Sequence, residues 1–168
     1  RSEIEWLTYR QLGESVDRTS RGLQTLMKNV ERDSEKRLML FENTCMEWMI
    51  MAHACSKAHI VFSTVYANLG TKALIGAINE TESSILFTNV GEVKRIASSL
   101  VENCPKLRTV ICNFDGIPES ERENYPIPAI SNIKVMSMKE VEELGKSSQE
   151  EHEKTAKTKK TSQKERGN

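Results

Sequence analysis

A chain of 168 residues has the length of about one domain, and its 38% apolar content is low but globular. Lys plus Arg (24) equals Asp plus Glu (24), so there is no net charge, which excludes a chain built chiefly to coat nucleic acid or an acidic membrane surface. No run approaches the ~20 uninterrupted apolar residues of a membrane-spanning helix, and the start at Arg1 lacks the basic-then-apolar pattern of a signal peptide.

The first element is a helix. Thr8 followed three residues later by Gln11 fits a capping box, and Leu12, Val16, Leu23, Leu26 and Val30 recur at helical spacing on one stripe. Gly13 and Gly22 weaken that helix by ~1 kcal/mol each, which is tolerable where something packs closely. After a charged turn from Glu31 to Arg37, the run Leu38-Met39-Leu40-Phe41 suits a strand covered on both faces. Thr44 is placed to cap the next helix, whose Trp48, Met49, Ala52 and Cys55 share a side. Met46, Met49 and Met51 read as core or subunit-contact filler rather than a sulfur ligand set.

The β-branched and aromatic run Ile60 to Tyr66 predicts a second strand, and Leu69-Gly70 leads into a helix through Ala73, Leu74 and Ile78. Ile85-Leu86-Phe87 is a strand. Glu92 to Glu102 is a helix with Val93, Ile96, Ala97 and Leu100 on one face, and Pro105 stops it. Thr109 to Cys112 is a strand. A loop with Pro118, Pro126 and Pro128 precedes a strand over Ile133 to Met136 and a last short helix holding Val141 and Leu144. Strand and helix alternating at this spacing predict an α/β fold, a mainly parallel sheet with helices on both faces. Repeats of 20–50 residues and the period-two pattern of a sandwich are absent.

Beyond residue 146 the composition changes. Six bases against four acids give Ser147 to Asn168 a net charge of +2, and Ala156 is its only apolar side chain. Such a segment buries too little to offset ordering entropy of ~1–2 kcal/mol per residue. Residues 147–168 are therefore expected to be a disordered charged tail. A nuclear-localisation or RNA-binding reading of Lys157 to Lys164 is the alternative.

The side chains that could carry chemistry are few. Cys45, Cys55, Cys104 and Cys112 have no C-x-x-C spacing, and His53 and His59 have no carboxylate at ligand spacing, while His152 falls in the tail. Reduced, buried cysteines in an intracellular compartment are the preferred reading. The turns at strand ends carry no G-x-G-x-x-G, P-loop or G-x-S-x-G. Gly70-Thr71-Lys72 imitates a phosphate loop in the wrong order, and Asn79-Glu80-Thr81 matches a glycosylation sequon at a helix end; both read as local structure.

Seven words stand in the order of a known family: Trp6-Leu7-Thr8-Tyr9, Arg21-Gly22-Leu23, Glu47-Trp48-Met49-Ile50, Ala54-Cys55, Tyr66-Ala67 with Leu69-Gly70, Asn79-Glu80-Thr81-Glu82 and Val141-Glu142-Glu143-Leu144-Gly145. Over residues 4–146 the chain resembles the amino-terminal part of long-chain fatty-acid–CoA ligases, which are adenylate-forming, AMP-binding enzymes. The resemblance implies residues 1–146 as an incomplete large domain. It also implies a two-step reaction: a fatty carboxylate attacks the α-phosphate of ATP, releasing pyrophosphate, and the thiol of coenzyme A then displaces AMP.

ATP, Mg and coenzyme A are thus implied for the parent enzyme, and none is expected to bind this chain alone. In that family the phosphate loop ending in Pro-Lys-Gly, the nucleotide contacts and the catalytic lysine lie downstream. No residue here is therefore named as catalytic, cofactor-binding or metal-ligating. Trp48, Tyr66 and Leu69 are read as structural.

Departures from the family pattern are also present. Thr44-Cys45-Met46-Glu47-Trp48 lacks the proline of Thr-Arg-Pro-Glu-Trp, the turn before Leu38 lacks Gly-Asp, and Asn68 replaces a threonine. The likeness stops after Gly145. The expectation is a fragment that supplies scaffold only. The alternative is a non-catalytic α/β domain that pairs with a full-length ligase. A homo-oligomer stays open, nucleic acid is not an expected partner, and the resemblance implies parent enzymes on the cytosolic face of endoplasmic-reticulum, mitochondrial or peroxisomal membranes, anchored through a segment outside this chain.

Overall fold

A polypeptide whose strands are apolar on both sides needs helices above and below them. The computed structural model, which describes residues 6–28 and 36–150, supplies both layers. The elements are α1 (Tyr9–Leu26), β1 (Arg37–Phe41), α2 (Met46–Ala58), β2 (Val61–Thr64), a 3-10 turn (Ala67–Leu69), α3 (Gly70–Thr81), β3 (Ile85–Asn89), α4 (Val90–Asn103), β4 (Thr109–Asn113), α5 (Glu119–Arg122) and β5 (Lys134–Ser137). A further helix, α6, covers residues 138–150. The described strands form one wholly parallel sheet in the order β2-β1-β3-β4-β5. The expected α/β architecture is present.

Leu38, Met39, Leu40 and Phe41 are all fully buried. Side chains alternate across a strand, so Leu38 and Leu40 join the core under α1, α2 and α6, while Met39 and Phe41 join the core under α3 and α4. The capping box forms as expected: the Gln11 N–H donates to Thr8 Oγ1 at 3.2 Å, and the Thr8 N–H donates to Gln11 Oε1 at 2.8 Å. Leu23 is fully buried, with Leu12, Val16 and Leu26 partly buried beside it. Val30 and the turn expected from Glu31 lie outside the described residues, except that Arg37 opens β1.

Several local details differ from the sequence reading. Cys45, not Thr44, caps α2, its sulfur accepting the Trp48 N–H at 3.4 Å. The buried residues of α2 are Ile50, Met51, Ala52, Ala54, Cys55 and Ala58, with Trp48 partly buried beside them, so Trp48, Ala52 and Cys55 pack as expected while Met49, like Met46, is exposed. The second strand is shorter than Ile60 to Tyr66 because Tyr66 turns into the 3-10 segment. α4 begins at Val90, immediately after its cap Asn89, two residues ahead of the expected Glu92. Residues 147–150 continue α6 rather than opening the tail, and 151–168 lie outside the described residues.

The tightest helix contact is between α1 and α6. A Cβ on Gly22 would stand 2.0 Å from the Val141 carbonyl oxygen, and one on Gly145 would stand 1.9 Å from that of Arg18. The Arg18 guanidinium donates through Nε to Glu142 at 2.8 Å across the same contact. Gly22 therefore has the close packing that justifies it, and Gly13, with nothing within 4 Å, does not. Gly22→Ala and Gly145→Ala should each destabilise the fold by about 1–3 kcal/mol through overpacking. Gly13→Ala should be neutral or stabilise by up to ~1 kcal/mol. Urea denaturation midpoints measure this, and equal effects at all three positions would contradict the crossing.

Candidate site at the carboxyl ends of the strands

Open parallel sheets place ligands beyond the carboxyl ends of their strands, at the point where the strand order reverses. In the order 2-1-3-4-5 that point lies between β1 and β3. The sequence reading named no site residues, and what the structure brings together here is a polar row that it did not single out. Asn89 is paired in register with Asn113, and one step beyond the Phe41–Thr88 pair Glu42 comes beside Asn89. Glu42 and Asn89 are each the first polar side chain of their parity after an apolar run, a pattern that reading those strand ends one parity at a time would have found.

Asn89 holds the row together. Its Oδ1 accepts the Gly91 N–H at 2.9 Å and starts α4, while its Nδ2 donates to Asn113 Oδ1 at 3.2 Å and to the Asp115 carbonyl at 3.0 Å. Asn113 Oδ1 also accepts the Asp115 N–H at 3.2 Å, and its Nδ2 donates to the Cys45 sulfur at 3.8 Å. Glu42 is only 9% exposed. One carboxylate oxygen accepts the Asn43 N–H at 2.8 Å, the other is buried, and the Asn113 side-chain amide stands beside the carboxylate. Burial raises the Glu42 pKa above its ordinary value; the Asn43 N–H and the Asn113 amide oppose it, and the nearby Asp115 and Glu92 charges add a smaller upward push.

Beside this row lies an open groove of about 770 Å³ between the start of α1, the start of α2, the β4–α5 loop and the start of α6. Met46, Ile50, Phe114, Tyr125, Ile127 and Met138 give it an apolar floor. Phe114 and Tyr125 pack edge to face, with ring centroids 5.9 Å apart, and Arg122 Nε donates to the Ile117 carbonyl at 2.8 Å, which shapes the loop. Ser137 and Glu140 form a capping box that starts α6 at its rim.

The chemistry open to these groups is recognition. Burial raises the Cys45 thiol to about 11, helped by Glu47, Glu42 and Asp115, and raises Cys55 and Cys112 to about 12. None is a thiolate near neutral pH. Among the described residues no group of three or more His, Cys, Asp or Glu is placed to hold a metal ion, so these side chains do not fit a resident Mg²⁺. The two sequence decoys are structural: Thr71 Oγ1 accepts from Arg95 at 2.8 Å, and Asn79 Nδ2 donates to the Asn103 carbonyl at 2.8 Å, tying α3 to α4. Among the described residues no helix is long and apolar enough to cross a membrane.

Because Glu42 keeps its proton to a higher pH when folded, its contribution is fully present below the ordinary pKa of 4.5 and is lost as pH rises through the raised value. Glu42→Gln should therefore raise the melting temperature at pH 7 and above, with the gain disappearing below pH 4.5. A pH-independent effect would contradict the assignment.

The family described as "AMP-binding enzyme" matches residues 1–162. Long chain acyl-CoA synthetase 8 of Arabidopsis thaliana is 30% identical over 144 residues, covering 85% of this chain and 19% of that protein. Long-chain-fatty-acid–CoA ligase 1 of Cavia porcellus is 26% identical over 144 residues, covering 84% and 20%. In fold, the chain superposes on the A-PCP didomain of a Segniliparus rugosus carboxylic acid reductase in complex with AMP, with TM-score 0.64, 14% identity, and coverage of 85% of this chain and 21% of that one. A coronafacic acid ligase of Pectobacterium brasiliense gives TM-score 0.60 at 17% identity, covering 80% and 24%. The chain spans about one fifth of the length of the curated relatives it matches.

Proposed function

Since this chain belongs to the AMP-binding enzyme family, we propose that it is a segment of an ATP-dependent long-chain fatty-acid–CoA ligase and supplies scaffold to that enzyme's large domain. The whole ligase would join a fatty carboxylate to ATP, release pyrophosphate, and pass the acyl group from AMP to coenzyme A. It would work at an intracellular membrane to which another part of the enzyme attaches it. The observation that carries this reading is the match of 85% of the chain to 19% of a long-chain acyl-CoA synthetase.

The physical role of these residues would be positional. The parallel sheet fixes the ends of β1, β3 and β4 as a rigid platform, and the amide network of Asn89 and Asn113 ties the loops that follow them. The reacting atoms would be held by polypeptide beyond this segment, where the family resemblance puts the phosphate loop and the catalytic lysine. When bound, Mg²⁺ would neutralise phosphate charge in the whole enzyme, and none of that work is assigned to this chain.

The purified chain, incubated with ATP, Mg²⁺ and palmitate, should release pyrophosphate no faster than a protein-free control. Saturable release that depends on palmitate would overturn the scaffold-only role.

A further inference from the structure

The lysine-rich run from Lys154 to Lys164 takes no part in the platform proposed above. It holds five lysines and no acid, and residues 151–168 carry six bases against three acids. The open groove of about 770 Å³ has the opposite charge: five glutamates line it against two bases, Arg122 and Lys139. Glu142 is held by Arg18, and Glu140 by the start of α6. Glu47, Glu119 and Glu123 have no ion pair among the described residues, and Met46 and Phe114 lie on the floor of the same groove. The run also starts close by. Glu150, at the end of α6, lines a second cavity of about 370 Å³ together with Glu14 of α1, and the next residue of α1, Ser15, lines the groove. The eighteen residues after Glu150 span up to ~60 Å when extended, so length does not limit their reach.

Exposed ion pairs are individually weak. A tethered segment, however, meets its groove at an effective concentration on the order of millimolar, and lysine stems cover apolar surface while their ammonium groups stay in water. We propose that Lys154 to Lys164 seats along this groove, its ammonium groups against Glu47, Glu119 and Glu123 and its methylene stems across Met46 and Phe114. Opposite charge and the short tether from Glu150 together select this occupant over a second copy of the chain or another protein. The inference stands apart from the ligase reading, since it uses only the charge of this chain and the lining of its groove.

The test uses the whole chain, treated with a carbodiimide that joins lysine to carboxylate without a spacer, and followed in parallel by amide exchange. Lysines of the run should join to Glu119 or Glu123. Exchange over residues 114–125 should be at least about threefold slower than in a chain carrying Lys157→Glu, Lys159→Glu and Lys160→Glu. The difference should shrink between about 0.1 M and about 1 M salt, as the Debye length falls from ~10 to ~3 Å, and should not depend on protein concentration. Reversing the groove with Glu119→Lys and Glu123→Lys should give the same loss, and combining the two reversals should restore slow exchange. Glu119 and Glu123 are exposed, and circular dichroism checks that each variant keeps the fold. Equal exchange in all four chains, cross-links confined to acids outside the groove, or slowing that grows with protein concentration, as a second copy would give, overturns the inference.

Discussion

A parallel sheet buried on both faces is the constraint on which the structure depends. The runs Leu38 to Phe41 of β1 and Ile85 to Phe87 of β3 are wholly apolar, so neither side can be left to water. Three helices, α1, α2 and α6, close one side, and α3 and α4 close the other. Space on the first side is short, and α1 and α6 share it only because Gly22 and Gly145 let the two backbones touch. The Arg18–Glu142 ion pair then sits across a contact that sterics have already set. Such partly exposed pairs are worth little alone, and the glycines carry the geometry.

The same layering explains why polar chemistry collects at one end. Strand interiors are sealed by helices, so side chains that need hydrogen bonds are confined to the positions where strands give way to loops. Glu42, Asn89 and Asn113 occupy those positions on one face and bind the loops together. Thr88, one residue back on the other face, is fully buried and its hydroxyl has no partner among the described residues. The cysteines follow the same division. Cys55 and Cys112 serve as small apolar fillers, and Cys45 is a helix cap whose thiol stays protonated.

The layered fold was legible in the sequence because its signals are local and repeated. Leu38 to Phe41, Ile85 to Phe87 and Thr109 to Cys112 are runs that suit a doubly covered strand, and Thr8 with Gln11 marks a helix start that forms as read. The details that escaped are set by tertiary contacts. Nothing near Thr44 says that the Cys45 sulfur will accept the Trp48 N–H in its place. α5 has four residues and too little periodicity to stand out from its proline-rich loop. The polar row escaped because Glu42, Asn89 and Asn113 are 24 or more residues apart, and only strand register makes them neighbours. The family, by contrast, was readable from short words shared along most of the chain, and the match over residues 1–162 agrees.

The division of labour proposed here, platform in this segment and nucleotide chemistry outside it, has a direct measurement. Equilibrium binding of ATP with Mg²⁺ to the purified chain, followed by isothermal titration calorimetry, should give no saturable heat up to millimolar nucleotide. A saturable isotherm would place a nucleotide site within these residues and contradict the account.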